Sequence, residues 1–471
     1  MLANIPQQVP ARIADPSNWL AYLRTLVGIQ LNYQLPGNPE TDQYIIPVSG
    51  GADSSLIAIL MHLLYPGVRF VLVFTDTVAE EPGIYVTLDD LEAFLGRSIT
   101  RLTPELGLFE LIEAQGGFLP SHSARWCTRI LKLENFKPWL ESQGQYRQRH
   151  MFIGIRADEQ DRLAFAIDDV ETHFPFIDMG LKREHVFQML RETIGIPRYY
   201  ARRTRSGCSD CFYQRRTEKV GLMQEQPIIF NRGAKYEKLG LEDSARHKEA
   251  PPLWRDSGIS ENWQRLPLPT SDARKFKNRL KRGTSIFGDR GIYIGGEFFF
   301  DSFLGLNEFV WAKRILTYSP TLAGIKDQLN ERFQHLLATS EVHDMTPDQV
   351  RHDVRFAIWY VELPADVFDP DPPTGESYTW QKGESYRQLR HIIQWATRAL
   401  QAEGMQQVAS IEASPLSVEY EWAEESKNAL KRVQHATGRV VASMWYRAIE
   451  RVKELDLEEA VRSTPCPMCS I

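Results

Sequence analysis

The sequence predicts an α/β domain with a largely parallel sheet, followed by a mostly helical C-terminal half. Three observations carry that prediction. Apolar runs alternate with helical periodicity from Tyr44 to Ile155, and a glycine turn, Ser49-Gly50-Gly51, joins the first run to the first helix. Beyond about Arg216 the pattern changes, and Gln224 to Pro269 is irregular, polar and interrupted by prolines. The expected organisation is a helical extension over residues 1–40, an α/β domain over 41–220 and a mostly helical domain over 221–471.

Tyr44–Val48, Phe70–Phe74 and Met151–Ile155 read as strands, with Leu56–Tyr65 and Leu88–Leu95 as helices between them. Thr172–Ile177 reads as a further extended segment, and Lys182–Thr193 as a helix that ends before Gly195 and Pro197. Pro47 removes a main-chain donor from a central strand, so an irregularity is expected there. In the second half, Asn307–Leu316, Thr321–Leu337, Thr346–Val361, Tyr386–Glu403 and Glu421–Leu455 carry apolar positions at helical spacing. Asp369–Ser377 is a Pro/Asp-rich loop, and Tyr293–Phe303 reads as core or strand.

The chain has 471 residues, 43% hydrophobic and 25% charged, which fits folded globular domains and excludes a mainly disordered or fibrous chain. A net charge of -6 excludes a wholly basic surface, so any nucleic acid must be bound locally. Five cysteines are too few for a disulfide framework, yet four of them form two C-x-x-C pairs, Cys208/Cys211 and Cys466/Cys469. No apolar stretch reaches the length of about 18 residues that a membrane helix needs, and no leader is evident, so a soluble cytoplasmic protein is expected.

The most informative segment is Ser49-Gly50-Gly51-Ala52-Asp53-Ser54, between an apolar strand and an apolar helix. Two glycines bring bare amides against an anion, and the helix N-terminus adds unpaired N–H groups. Ser49, Ser54 and Ser55 offer hydroxyl donors, and Asp53 offers a ligand for hydrated magnesium. The alternative is a polar turn with Asp53 or Ser54 as an ordinary helix cap. No lysine follows the glycines, which excludes a Walker A loop. Thr75 and Asp76 close the second strand, where they either contact adenine or ribose or cap the next helix. Gly154, Arg156, Glu159 and Arg162 end the Met151 strand. Its arginines suit phosphate or sulfate with Glu159 orienting one of them, or form a surface ion-pair cluster.

Ser-Gly-Gly-x-Asp-Ser resembles the PP-loop of the ATP pyrophosphatases, a superfamily that includes the phosphoadenosine phosphosulfate (PAPS) reductases. Thr75-Asp76-Thr77-x-x-Glu80-x-Pro82 and Arg125-Trp126-Cys127-Thr128-x-x-Leu131-Lys132 resemble segments of the DNA phosphorothioation sulfurtransferases within that group. Gly154-x-Arg156-x-x-Glu159-x-x-Arg162 is similar to a further family segment, with Gln160 in place of its serine. The resemblance implies an adenine-nucleotide alpha-hydrolase-like (Rossmann-like) fold. It implies ATP-Mg on Ser49, Gly50, Gly51, Asp53, Ser54 and Ser55, and nucleotide contacts from Thr75, Asp76, Gly154, Arg156, Glu159 and Arg162. Asp53, Ser54 and Arg156 are the expected catalytic residues, with a substrate oxygen attacking the α-phosphorus. A sulfur-donor protein such as a cysteine desulfurase and a nucleic-acid acceptor are the implied partners.

Cys127 and the Cys208/Cys211 pair, 81 residues further on, supply three soft ligands. Nearby Arg125, Arg129 and Arg205 are expected to favour their thiolate form. The resemblance makes the set a three-cysteine iron–sulfur site, expected as 4Fe-4S, while a structural zinc and unrelated thiols are the alternatives. Cys466 and Cys469 lie in the last six residues. There they could be a catalytic or redox pair, a fourth ligand, or a loose tail. Arg198, Arg202, Arg203, Arg205, Arg215 and Arg216 bracket the first pair, with Tyr199, Tyr200, Phe212 and Tyr213 available for base stacking. Arg274, Lys275, Lys277, Arg279, Lys281 and Arg282 form a second basic cluster.

Three functions are therefore expected in contest. The first is an ATP-dependent adenylating sulfurtransferase. The second is a sulfonucleotide (PAPS or adenylylsulfate) reductase using a C-terminal cysteine. The third is a non-catalytic nucleotide- or nucleic-acid-binding partner with structural zinc.

Overall fold

The computed structural model describes residues 16–159, 167–237, 266–269, 272–283, 290–301, 309–364, 367, 379–380, 384–412 and 438–450. Arg162, Cys466 and Cys469 lie outside them. The chain divides into two compact units: the first holds residues up to Tyr213 together with Ala338–Asp344, and the second holds Gln214–Leu337 and Met345–Leu455.

Unit 1 runs α1 (Pro16–Val27), β1 (Gln43–Pro47), α2 (Ala52–Leu64), β2 (Phe70–Thr75), α3 (Pro82–Leu95), β3 (Thr100–Leu102), α4 (Leu108–Ala114), α5 (Glu134–Ser142), β4 (Arg149–Phe152), β5 (Glu171–His173), α6 (Pro175–Asp178) and α7 (Arg183–Glu192). Its five strands are all parallel in the order β3-β2-β1-β4-β5. This is the expected Rossmann-like α/β fold. The order reverses between β1 and β4, so the loops leaving these strands diverge and open a crevice at their C-terminal ends.

Local chemistry explains the element ends. α3 starts with Pro82 in its first turn and stops at Gly96, whose left-handed conformation lets its N–H reach Glu92 O. α2 is buried nearly all round, from Ala52 to Leu63, and so reads as continuous apolar sequence. Each of its Leu, Ile and Met side chains gains about 1.5–3 kcal/mol by burial, which fixes where its N-terminus sits. Pro47 pairs with Val73 on the β2 side, while the ladder to β4 ends at Ile45. Neither ladder of β1 shows a register shift, so the expected irregularity is absent from them. The segment expected to be extended over Thr172–Ile177 is strand only to His173, because Pro175 begins α6.

Unit 2 holds α8 (Arg216–Glu225), α9 (Pro227–Tyr236), α10 (Ala273–Gly283), β6 (Arg290–Asp301), β7 (Phe309–Ser319), α11 (Leu322–Ala338), α12 (Pro347–Asp353), β8 (Val354–Leu363), α13 (Tyr386–Glu412) and β9 (Arg439–Tyr446). Four strands form an antiparallel sheet in the order β7-β6-β8-β9. Three segments expected to be helical contribute to it: Asn307–Leu316 lies largely in β7, the second part of Thr346–Val361 is β8, and Glu421–Leu455 contains β9. In β7 and β8 the cause is burial on both faces, whereas in β9 only three of eight positions are buried. In β8 eight of ten positions are buried, which erases the period-two alternation that marks a strand and leaves apolar spacing that mimics a helix. Thr321–Leu337 and Tyr386–Glu403 are helices as expected, and Tyr293 to Asp301 lies in strand β6 with Phe298, Phe299 and Phe300 buried. Among the described residues no helix is long and apolar enough to cross a membrane.

Glu237 ties α13 into unit 2. Its carboxylate accepts the Tyr386 N–H at 2.8 Å and the Trp380 N–H at 3.4 Å, and so caps the start of α13. Burial pushes its carboxyl up to about 7, against those donors and Lys219. A carboxyl raised in the folded state keeps a proton there that the unfolded chain releases. Stability therefore falls as pH rises from about 4.5 to about 7 and levels off above, by at most about 3 kcal/mol. Urea midpoints of wild type and Glu237→Gln at about pH 5 and about pH 8 check this. The variant is expected to lose that fall, and equal pH dependence in the two proteins contradicts it.

Candidate active site

The loop after β1 is shaped by its two glycines and by side chains that close on it. Gly50 adopts φ +66°, and a Cβ there would lie 2.8 Å from Ile84 Cγ2. A Cβ on Gly51 would lie 2.6 Å from Ser206 Oγ. Ser54 Oγ accepts the Ser49 N–H at 3.0 Å and lies 3.0 Å from Ser49 Oγ, which in turn lies 3.4 Å from Ser206 Oγ. Tyr199 OH donates to Gly50 O at 2.7 Å, and the Ala52 N–H donates to Tyr200 OH at 3.1 Å. Tyr199 and Tyr200 are buried and stacked on each other at 4.8 Å, so they brace the loop and are not available for base stacking. Phe212 and Tyr213 are also buried, although both line the pocket described below.

The strand ends beside the loop are arranged around Asp53. Gly154 follows β4, and a Cβ there would meet the Asp53 main-chain oxygen at 2.7 Å. Arg156 is buried and pairs with Asp53 Oδ2 at 2.7 Å, Asp158 at 3.1 Å and Glu159 at 2.6 Å. With three carboxylates around it, this guanidinium orients Asp53 and Glu159. Asp53 Oδ1 and the hydroxyls of Ser55 and Thr75 are buried without a hydrogen-bond partner among protein atoms. Asp76 does cap a turn, accepting from the Val78 N–H and from Tyr85 OH, each at 2.8 Å.

Cys127, Cys208 and Cys211 meet in one pocket of about 620 Å³, open solvent at its mouth included, which Ser49, Thr77, Glu80, Lys132 and Ser206 also line. None of the three is in a disulfide. Cys127 lies in the helical turn that runs into a π-helical stretch, Thr128–Leu133, and then α5. Cys208 is held by the main chain: Glu80 and Cys208 form an antiparallel bridge, Ser209 N–H donates to Ala79 O at 2.8 Å, and Glu81 N–H to Gly207 O at 3.3 Å. The Cys208 thiol is raised well above its usual value, first by burial and then by Glu80, toward which it donates at 3.8 Å. Burial likewise raises the Glu80 carboxyl.

The expected help from arginines is therefore uneven. Arg205 approaches Cys211 Sγ at 3.5 Å and lies over the Tyr213 ring, whereas Arg129 is exposed and pairs with Glu134 at 3.5 Å. Arg202 and Arg203 are buried on Glu81, and Arg203 also donates to Gly207 O and Cys208 O at 2.8 and 3.0 Å. They brace the cysteine loop and do not present a phosphate-tracking surface. In unit 2, Arg215 and Arg216 pair with Glu331 and Glu384.

Sequence reasoning missed Thr77, Glu80, Lys132 and Ser206 as pocket residues. Thr77 and Glu80 were visible within the Thr-Asp-Thr-x-x-Glu motif, and Thr77 Oγ1 lies 2.8 Å from Glu80 Oε1 and 3.2 Å from Cys208 Sγ. Ser206 immediately precedes Gly207-Cys208, but nothing in the sequence signals its approach to Gly51.

Residues 43–192 match the family model of the phosphoadenosine phosphosulfate reductase domain. The match supports a PAPS reductase-like domain over this segment, similar to those of a nucleotide-using, sulfur-related enzyme family. An uncharacterized protein of Methanocaldococcus jannaschii is 33% identical over 116 residues, which are 24% of this chain and 23% of that protein. The chain thus matches less than a quarter of that relative's length. A crystal structure of phosphoadenylyl-sulfate reductase from Candida auris, in a phosphate complex, aligns with 38% of this chain and 79% of that one, at 13% identity and a TM-score of 0.27.

The Gly154 crossing gives a direct test of the loop's packing. Gly154→Ala must displace the Asp53 main chain, and a loss of about 1–3 kcal/mol in urea unfolding is expected. Wild-type stability would show that the β4 end does not restrain the loop.

Proposed function

We propose that the chain is an ATP-dependent adenylating sulfurtransferase. The observation that carries this reading is the single pocket in which Ser49, from the glycine loop, faces all three cysteines. A phosphate cradle beside a thiol cluster suits handing sulfur to a group activated as an adenylate. The loop amides and Ser49, Ser54 and Ser55 hold the β- and γ-phosphates. Asp53, oriented by Arg156 and with Oδ1 lacking a protein partner, takes the hydrated magnesium. A substrate oxygen attacks the α-phosphorus, the bond to pyrophosphate breaks, and sulfur at the sulfide oxidation level then displaces AMP, so the sequence needs no oxidant. Thr75, Asp76, Gly154, Glu159 and Arg162 belong to the same nucleotide site by resemblance.

Cys127, Cys208 and Cys211 fit a polynuclear iron–sulfur cluster. They are all thiols in a pocket with Lys132 and Arg205, and their sulfurs do not gather within 4.8 Å of one another. A single tetrahedral zinc needs thiolates about 3.8 Å apart, given Zn–S near 2.3 Å. A cluster held there would supply reduced sulfur next to the loop, and a donor such as a cysteine desulfurase would replenish it. Metal ligation also offsets the burial that keeps Cys208 protonated.

Nucleic acid is the proposed acceptor, and α10 supports it. Around its buried Phe276 it exposes Arg274, Lys275, Lys277 and Arg279, a face that suits a phosphate backbone. A second reading, a sulfonucleotide reductase with Cys466 or Cys469 as nucleophile, is favoured by the family match and needs no ATP. Asp53→Ala separates them. On the first reading it abolishes pyrophosphate release from ATP, read by a coupled phosphate assay, while the far-ultraviolet spectrum is unchanged. Wild-type turnover in the variant, or sulfite release from PAPS without ATP, contradicts that reading.

A further inference from the structure

Three ligand-type side chains outside the pocket converge on β4 and β5. His150 pairs with Glu171 across the parallel ladder, and His173 lies two residues beyond Glu171, so all three share one face of the sheet. His150 Nδ1 lies 3.0 Å from His173 Nε2 and 3.3 Å from Glu171 Oε2, and His173 Nε2 lies 3.8 Å from that same oxygen. Among the described residues, these are the ligand atoms that gather within 4.8 Å of one another. A tetrahedral zinc with nitrogen and oxygen ligands at about 2.0–2.2 Å spaces them about 3.3–3.5 Å apart. The observed triangle brackets that spacing.

The surroundings support ligation as well. His150 is buried, and its other nitrogen, Nε2, lies 3.4 Å from Asp42 Oδ2. Asp42 is itself fixed by the Asn38 N–H at 2.8 Å and Thr41 OH at 2.9 Å. A carboxylate on one imidazole nitrogen holds the proton there and leaves the other nitrogen's lone pair facing the ion. Tyr44 stacks on the His150 ring at 5.3 Å and fixes its plane. Gly37, at φ +71°, lets the preceding loop close over the pair: a Cβ there would lie 2.3 Å from Asp42 Oδ2 and 2.4 Å from His150 Nε2. Glu171 is exposed, which leaves one side of the triangle open to water.

We propose that His150, Glu171 and His173 form a divalent-cation site of the zinc class, with water at the fourth position. Two imidazoles and one carboxylate select zinc over magnesium or calcium, which favour oxygen donors. None of the three residues lines the cysteine pocket, so the site is distinct from the proposed cluster. Bound there, the ion fastens the three-residue β5 to β4 and to the Asn38–Asp42 turn.

Calorimetric titration of metal-stripped full-length chain with zinc, together with cobalt spectra, tests this. One equivalent is expected to bind through nitrogen and oxygen, giving cobalt bands without sulfur charge transfer and a zinc-dependent rise in melting temperature. Glu171→Ala, at an exposed position, and His173→Gln are each expected to weaken that equivalent by about tenfold or more and to remove the thermal shift. Equal affinity and stoichiometry in wild type and both variants, or cobalt spectra showing thiolate ligation alone, would overturn the proposal.

Discussion

The Cys208/Cys211 loop is held against the loop after β2 by main-chain hydrogen bonds, and the chemistry open to unit 1 depends on that clamp. Glu80 bridges Cys208, and the flanking residues add bonds from Ser209 to Ala79 and from Glu81 to Gly207. Main-chain bonds of this kind survive most side-chain changes, so the clamp fixes a thiol beside the phosphate loop with little dependence on the exact residues around it. Without it, Cys208 and Ser49, 159 positions apart in sequence, would have no reason to share a pocket.

Buried charge secures the same arrangement. Glu81 meets Arg202 and Arg203 where water is excluded, and Arg203 also takes the carbonyls of Gly207 and Cys208. A charge in such a place is tolerated only when paired and hydrogen-bonded, which makes the pairing specific to this loop geometry. Arg156 plays a comparable part for Asp53 at the end of β4. Of the basic residues that look in sequence like a nucleic-acid surface, Arg202 and Arg203 are internal braces, Arg215 and Arg216 are ion-paired within unit 2, and the α10 residues form an exposed face.

Much of unit 1 was legible because its signals are local. A glycine turn between an apolar strand and an apolar helix can hardly be anything but a strand-to-helix loop, and the Cys127 to Cys211 spacing pointed to one thiol site. Tyr199 and Tyr200 were misjudged because their burial depends on contacts with Gly50 and Ala52, about 150 positions away, which no local pattern records. The antiparallel sheet of unit 2 was missed for a different reason. Strands buried on both faces lose their alternation, and aromatic and β-branched content, as in Phe309–Ser319, was then the only remaining mark. His150, Glu171 and His173 look unremarkable in sequence, because strand pairing alone brings them together.

The central claim is that the three cysteines beside the phosphate loop hold reduced sulfur on a cluster. Iron, sulfide and zinc content of anaerobically purified chain, with its visible spectrum, tests it most directly. The account predicts iron and acid-labile sulfide in about equal amounts, near four per chain, with a broad thiolate-to-iron band that Cys208→Ser removes. Iron-free protein after anaerobic reconstitution, or zinc bound through Cys127, Cys208 and Cys211, would contradict it.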